Sequence, residues 1–344
     1  MESDTTILFS KSCMCAKINP LPSNFIEIAN EAELSYQKGD KTTHGILKKI
    51  INENMQRHKD KHNLVVITGL YGDYYAFNRG LFGRSYPPFI LTEIEWNWRY
   101  RRKITLRGVL NKLFHQYVAK GASYVTVYCK AEISNYSNAY EIPPEKFIWL
   151  PYCSALDENK SPHNGKEEYI LTGGLNDRDY PTLFSAIRDL PIQFRLVAHK
   201  ESLKNYNVPS NVELIGILSK ADYYQEISKA KAIVLSVDTT SHNASLRYAG
   251  ITAYVSSMRM RKCVIVNDPI GASSYITNGK HGLLPPPNEP EALRETILQV
   301  WEDNNLRKIL ANNAYERSHK EFGYHRYFSD LQKYAKLAIK MARA

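Results

Sequence analysis

The stretch Tyr169-Ile-Leu-Thr-Gly-Gly-Leu-Asn-Asp-Arg-Asp-Tyr180 reads as a strand, a glycine turn and the approach to a helix. Tyr169 to Thr172 is short and apolar, the pattern of a buried strand. Gly173-Gly174 turns the chain, and Pro181-Thr-Leu-Phe-Ser-Ala-Ile187 begins an amphipathic helix. A strand, a glycine turn and a helix start can aim backbone N–H groups at an anion. Asn176 and Arg178 place a polar donor and a permanent cation beside that turn. Two adjacent glycines also fit an ordinary strand-to-helix corner, so the residues downstream of the turn decide between the two.

In that downstream half, apolar runs alternate with helical patterns: Phe194–Ala198, Val212–Ile215, Ala232–Ser236 and Val264–Val266 as strands. Ala221 to Lys229, Thr252 to Arg259, Pro290 to Trp301 and Tyr327 to Ala342 read as helices, with a short strand expected at Gly282–Leu284. Such alternation predicts a parallel, doubly wound α/β sheet. The stretch Asp238 to Thr252 joins a buried strand to a helix, and Gly250, Ile251 and Thr252 fall at that helix's N-terminus. Amides there lack intrahelical partners. The helix dipole adds about 0.3–2 kcal/mol for an anion. Arg247 lies just upstream as a second clamp, and His242 lies within the loop, within reach of a sugar or phosphate.

At 344 residues, 43% apolar and 23% charged, the chain has the composition of a globular protein with room for two cores. No run reaches the roughly eighteen apolar residues of a membrane span. The first ten residues lack the basic start and apolar region of a signal peptide. Five scattered cysteines read as reduced cytosolic thiols, without disulfide or zinc spacing. The expected location is cytoplasmic, with a peripheral position on the inner face of a membrane as an option. The net charge is +10, and residues 1–150 hold 20 basic against 14 acidic side chains, or +6.

That first half also reads as α/β. Thr5 to Ser10, Leu64 to Thr68, Phe89 to Thr92, Ser123 to Tyr128 and the end of Ile142 to Leu150 are expected strands. Asn24 to Gln37 is weakly helical and Thr43 to Met55 clearly so. Asp73, Glu93 and Glu95 follow strand ends, where open α/β sheets bind ligands. Arg99 to Lys120 carries seven basic residues and no acid. It leads into a helix whose Leu106, Val109, Leu110, Leu113, Phe114, Tyr117 and Val118 are expected to pack on the sheet, leaving Arg107 and Lys112 outward. The basic cluster adjoins Trp96 and Trp98, which suits an anionic membrane surface or, less well, a nucleic acid. Periodicity lapses from Pro151 to Glu167. The expected domains are therefore 1–153, joined by a returning C-terminal helix 325–344, and 154–324.

Residues 169–322 resemble the donor-binding domain of a retaining glycosyltransferase of the GT-B fold, of the family 4 group. Gly173-Gly174 with Arg178-Asp179-Tyr180 is similar to a phosphate loop of that group. Asn211 to Ile217 resembles the strand and loop under the nucleotide base, and Ala249-Gly-Ile-Thr252 the segment that caps the diphosphate. Asn278-Gly-Lys-His-Gly-Leu-Leu-Pro-Pro-Pro-Asn-Glu-Pro-Glu-Ala-Leu293 is the most characteristic run. The resemblance implies two Rossmann-like domains and transfer of a hexose from a uridine or guanosine diphosphate sugar to a glycan or lipid-linked acceptor. Retention of configuration, without a metal, is part of that implication. The implied donor contacts are Gly173, Gly174, Asn176, Arg178, Ile217, Gly250, Ile251, Thr252 and Ser256. From their loop positions, Arg178, Arg247, His242 and Asp73 are the expected catalytic set.

The sequence departs from that pattern at telling positions. Tyr248 and Ser256 stand where the group carries two glutamates, and Gly174 and Asp179 where it carries an arginine and a lysine. Arg178 and Arg247 can replace the missing charge, each permanently ionised and able to fork onto phosphate oxygens. Two alternatives stay open: a non-catalytic nucleotide-sugar-binding or partner-transferase subunit, and a transferase acting on a nucleic acid.

Overall fold

The computed structural model describes residues 6–9, 22–27, 64–68, 72–82, 86–92, 94, 96, 105–154, 169–174, 177–239, 250–267 and 271–343. The chain divides into two compact units, Met1–Pro151 with Tyr324–Ala344, and Tyr152–Gly323.

Unit 1 is built on a six-stranded sheet with the order β2-β1-β3-β4-β5-β6. The strands are β1 (Thr6–Phe9), β2 (Phe25–Glu27), β3 (Leu64–Thr68), β4 (Phe89–Leu91), β5 (Tyr124–Val127) and β6 (Phe147–Trp149). Every pairing is parallel. Helices α1 (Gly72–Phe82), α2 (Leu106–Gly121) and α3 (Lys130–Tyr140) connect β3 to β6 in turn. The C-terminal helix α9 (Tyr324–Arg343) returns to this sheet: Phe328 meets Phe9 and Phe25 edge-on, with centroids 5.7 and 5.0 Å away.

Two expectations for this half need correction. Phe25–Glu27 is a strand paired with β1 rather than part of a helix; three residues are too few to show a strand period. The expected helix at 43–55 lies outside the described residues. On α2, only His115, Val118, Ala119 and Gly121 are buried. Leu106, Val109, Leu110, Leu113 and Tyr117 are exposed. Small residues set that geometry. A Cβ on Gly121 would lie 1.6 Å from the Ala76 carbonyl oxygen, and one on Gly80 2.5 Å from that of Tyr117. α1 and α2 therefore meet backbone to backbone at their C-terminal ends, and the Leu-rich side of α2 turns away.

Unit 2 carries a five-stranded parallel sheet, β11-β10-β7-β8-β9. Its strands are β7 (Tyr169–Gly173), β8 (Gln193–Val197), β9 (Val212–Leu214), β10 (Ala232–Leu235) and β11 (Cys263–Val266). The helices are α4 (Tyr180–Ile187), α5 (Lys220–Lys229), α6 (Ile251–Arg259), α7 (Pro290–Glu302) and α8 (Asn304–Glu321). Helix α8 carries no periodic signal in the sequence, because its apolar residues are too sparse to form a stripe. Its start is capped, with Asp303 Oδ1 accepting from the Leu306 amide at 2.8 Å. The expected strand at Gly282–Leu284 is two isolated bridges, Asn278 to Gly282 and Ile265 to Leu283.

The order of this sheet fixes where a ligand can enter. From β7 the chain steps outward through β8 to β9, then crosses back to β10 and β11 on the other side of β7. The loops after β7 and β10 therefore diverge at their C-terminal ends, the place where open α/β sheets leave a crevice.

Candidate functional site

The β7 loop is held by its glycines. Gly173 and Gly174 have φ of +102° and +134°, values strained for any side chain. A Cβ on Gly173 would lie 2.3 Å from the Val197 carbonyl oxygen, and one on Gly174 2.2 Å from Arg178 Nη2. Gly174 thus makes room for the guanidinium. Arg178 folds back over the turn and donates from Nε to the Gly173 carbonyl at 3.0 Å. The same residue pairs with Val237 in an antiparallel bridge. The Asp238 amide donates to the Asp177 carbonyl at 3.0 Å, and the Asp179 amide to that of Ser236 at 3.1 Å. The β7 and β10 loops are stitched together by these bonds.

Asn267, just after β11, completes the stitch. Its buried side chain accepts from the Val237 amide at 2.7 Å and donates to Ser236 Oγ at 3.3 Å. Sequence reasoning passed over this residue; the one signal was a polar amide directly after the apolar strand Cys263–Val266.

Across the crevice stands the start of α6. Gly250 is its N-cap, with φ of +87° and no side-chain capping bond. A Cβ there would lie 3.9 Å from Arg178 Nη2. The cation from one loop thus approaches the N-terminus of the helix after the other, where amides lack intrahelical acceptors. Thr252 in that first turn is exposed, whereas Ile251 is buried.

The start of α4 is different. Asp179 Oδ1 accepts from the Thr182 amide at 3.0 Å, so the helix end nearest the glycine turn is filled by its own carboxylate. The Gly174 amide is also engaged, donating to the Val197 carbonyl at 2.8 Å. The expectation that this turn presents free amides is therefore corrected. Within the described residues, its contribution is the guanidinium of Arg178. Ile217 is exposed after Gly216, which has φ of +73°. Ser256 is fully buried, and its hydroxyl has no hydrogen-bond partner among the described residues. Asn176, His242, Arg247 and Tyr248 lie outside the described residues.

The run Asn278 to Leu293 proves to be scaffold. Gly282 has φ of +154°, and a Cβ on it would lie 2.6 Å from the Val264 carbonyl oxygen. Asn278 Oδ1 accepts from the Leu284 amide at 2.9 Å. His281 Nδ1 faces the Thr277 amide at 3.3 Å, with Arg317 at 3.2 Å. Burial and the Arg317 and Lys280 cations hold its pKa below the usual histidine value.

In unit 1, Asp73 sits in the first turn of α1. Trp96 Nε1 donates to both of its oxygens, each at 3.1 Å. Part of the residue reaches the surface, but burial of the carboxyl raises its pKa from 3.8 to about 7, opposed by the indole bond. Trp96 is itself buried and lies against His115, with centroids 4.4 Å apart. This corrects the reading of Trp96 as an interfacial aromatic: it is core. Glu93, Glu95, Trp98, Arg99 and Arg101 to Lys103 lie outside the described residues.

With this geometry established, residues 196–317 match the family model of Glycosyl transferases group 1. Over these residues the chain is similar to that family. Two uncharacterized glycosyltransferases of Methanocaldococcus jannaschii are similar to it. One is 30% identical over 142 residues, 40% of this chain and 39% of the relative. The other is 28% identical over 223 residues, 59% and 56% of the two chains. The matched part thus spans between two fifths and just over half of these curated relatives.

Among solved structures, Anabaena HepE in complex with UDP superposes on 96% of this chain and 99% of its own, at a TM-score of 0.69 and 15% identity. Sucrose-phosphate synthase from Thermosynechococcus elongatus covers 86% and 79%, at 0.61 and 16%. At these identities the likeness establishes the GT-B fold. The matched residues include the β10 loop, α6 and the Asn278 to Leu293 run. The Gly173–Arg178 turn lies just before the matched residues.

Proposed function

We propose that the chain is a retaining glycosyltransferase that binds a nucleoside diphosphate sugar at the crevice between β7 and β10. It transfers a hexose to a glycan or lipid-linked hydroxyl. The observation that carries this reading is Arg178: its guanidinium is seated on the Gly173-Gly174 turn and directed toward the start of α6, whose N-cap is Gly250. A diphosphate between them gains a forked cation on one side and helix amides on the other. UDP is the favoured nucleotide, supported by the UDP complex of Anabaena HepE.

The chemistry asked of such a site is electrostatic. Negative charge develops on the leaving diphosphate as the glycosidic bond opens. Arg178 and the α6 amides are placed to stabilise it, without a protein nucleophile. Arg247 and His242 are assigned supporting roles at the phosphates and sugar, Asn176, Ile217 and Thr252 at the nucleotide, and Asp73 at an acceptor hydroxyl; Ser256 is fully buried and is given no contact. The carboxyl of Asp73, poised near neutrality, suits either accepting or donating a hydrogen bond there.

A binding-only role is the second reading, favoured by Tyr248 and Ser256 in place of two glutamates and by the burial of Ser256. Proton NMR of a reaction with UDP-sugars tests both. Slow release of sugar from the donor, with the α configuration kept at early times, is the expected result. Tight UDP binding with no sugar released from any donor would assign the chain to the binding-only class.

A further inference from the structure

Helix α2 presents an apolar stripe to the outside of unit 1. Leu106, Val109, Leu110, Leu113 and Tyr117 recur at spacings of three and four and share one face. Their exposures run from 39% at Tyr117 to 78% at Leu106. The core side of the helix is the opposite one, carrying His115, Val118 and Ala119. The Gly80–Gly121 approach brings the end of α1 beside the end of this stripe, adding Leu81 and Phe82, which are 48% and 62% exposed. A continuous apolar strip of this kind on a water-facing helix marks a contact surface.

Charge identifies the contact. The sixteen residues of α2 include Arg107, Lys112 and Lys120 and no acid. Lys112 is engaged by Glu141, leaving Arg107 and Lys120 exposed at the two ends of the stripe. Five further cations, Arg99, Arg101, Arg102, Lys103 and Arg84, lie close by in sequence. A second copy of the chain docked on the same face would bring Arg107 and Lys120 against cations of their own kind. An apolar stripe edged by cations is the pattern of a helix lying in the headgroup layer of an anionic bilayer.

We propose that α2 is a bilayer-docking face, with Leu106, Leu110 and Leu113 entering the lipid and Arg107 and Lys120 meeting anionic headgroups. The placement agrees with the topology of the sheet. α2 begins at the C-terminal edge of the unit 1 strands, the edge that also holds Asp73, so the most exposed leucine, Leu106, lies on that edge. A lipid-linked acceptor would be delivered there from the membrane. The docking face itself does not depend on the donor site.

The test is co-sedimentation of the full chain with phosphatidylcholine vesicles, with and without phosphatidylglycerol, in the absence of nucleotide. Binding is expected only to the phosphatidylglycerol vesicles. Leu110→Ser with Leu113→Ser should weaken it at least about tenfold, since each leucine loses its transfer into lipid. Arg107→Ser with Lys120→Ser should weaken it about fivefold per charge. All four positions are exposed or at helix ends, and an unchanged apo Tm verifies that the variants fold. Equal binding to both vesicle types would overturn the role of charge. Failure to bind vesicles, with the chain either a monomer or a dimer that the serine pair dissociates, would overturn the docking face.

Discussion

At the C-terminal edge of its sheet, unit 2 places a guanidinium and a helix start with a glycine N-cap; at the same edge of its own sheet, unit 1 places a carboxyl and an indole. Both edges arise from parallel strands feeding helices, so the architecture alone does not separate them. What separates them is how each loop uses its first polar residues. Asp179 and Asp73 both stand at the start of a helix after a strand. Asp179 closes its own helix by accepting from Thr182, and Arg178 next to it donates to the Gly173 carbonyl. Asp73 is instead bound by Trp96 and pushed toward neutrality by burial. In the proposed function, one edge takes an anion and the other a hydroxyl. Chemistry of this kind lives in loops rather than in the fold.

The sharpest way to break the contrast is at the unit 2 turn. Gly173→Ala would drive a methyl into the Val197 carbonyl at a positive φ. A loss of about 3 kcal/mol of stability is expected by urea denaturation. A loss under about 0.5 kcal/mol would mean that the turn is not rigid.

Arg178→Ala comes next. It should weaken UDP binding by about 1.5–3 kcal/mol, the scale of a charge-assisted hydrogen bond, as read by calorimetry. The apo protein should lose about 1 kcal/mol with the Gly173 bond. If apo stability collapses while UDP affinity is kept, Arg178 is a structural strut and the anion site lies elsewhere.

The unit 1 edge is tested by pH. Because burial lifts Asp73 from 3.8 to about 7, the folded chain holds that proton more tightly than the unfolded one. Stability contributed by the neutral carboxyl is complete below pH 3.8 and falls away as pH rises through about 7. Asp73→Asn keeps an acceptor for Trp96 but cannot ionise. Its Tm should match the wild type below pH 3.8 and exceed it above pH 7. A constant gap across that range would contradict the shift. The smallest effect belongs to Asp179→Ala, which should cost about 1 kcal/mol through the lost helix cap and leave UDP affinity nearly unchanged.

Much of unit 2 is legible in the sequence. Its strands are continuous apolar runs, and Gly173-Gly174 and Gly250 mark the two loops, because only glycine takes those backbone angles cheaply. The direction of the Arg178 side chain is not legible, since it depends on the empty space left by Gly174. Nor is the use of Asp179 as a cap, because a carboxylate one residue before a helix reads equally well as a ligand contact. Unit 1 misleads for another reason. The spacing of Leu106, Val109, Leu110 and Leu113 correctly puts them on one face, but periodicity carries no sign. It does not say whether that face meets the sheet or the solvent. His115 and Ala119 on the other side, beside the Gly80–Gly121 approach, settle it.

If Arg178 and the start of α6 grip one diphosphate, the second phosphate must carry much of the binding. Thermal unfolding of the full chain with UDP and with UMP, each at a hundredfold excess over the UDP dissociation constant, addresses this directly. UDP should add about 2.7 kcal/mol. UMP, lacking the second phosphate, should add markedly less, and Arg178→Ala should remove most of the difference. Equal stabilisation by the two nucleotides, or a difference that survives Arg178→Ala, would contradict the shared grip.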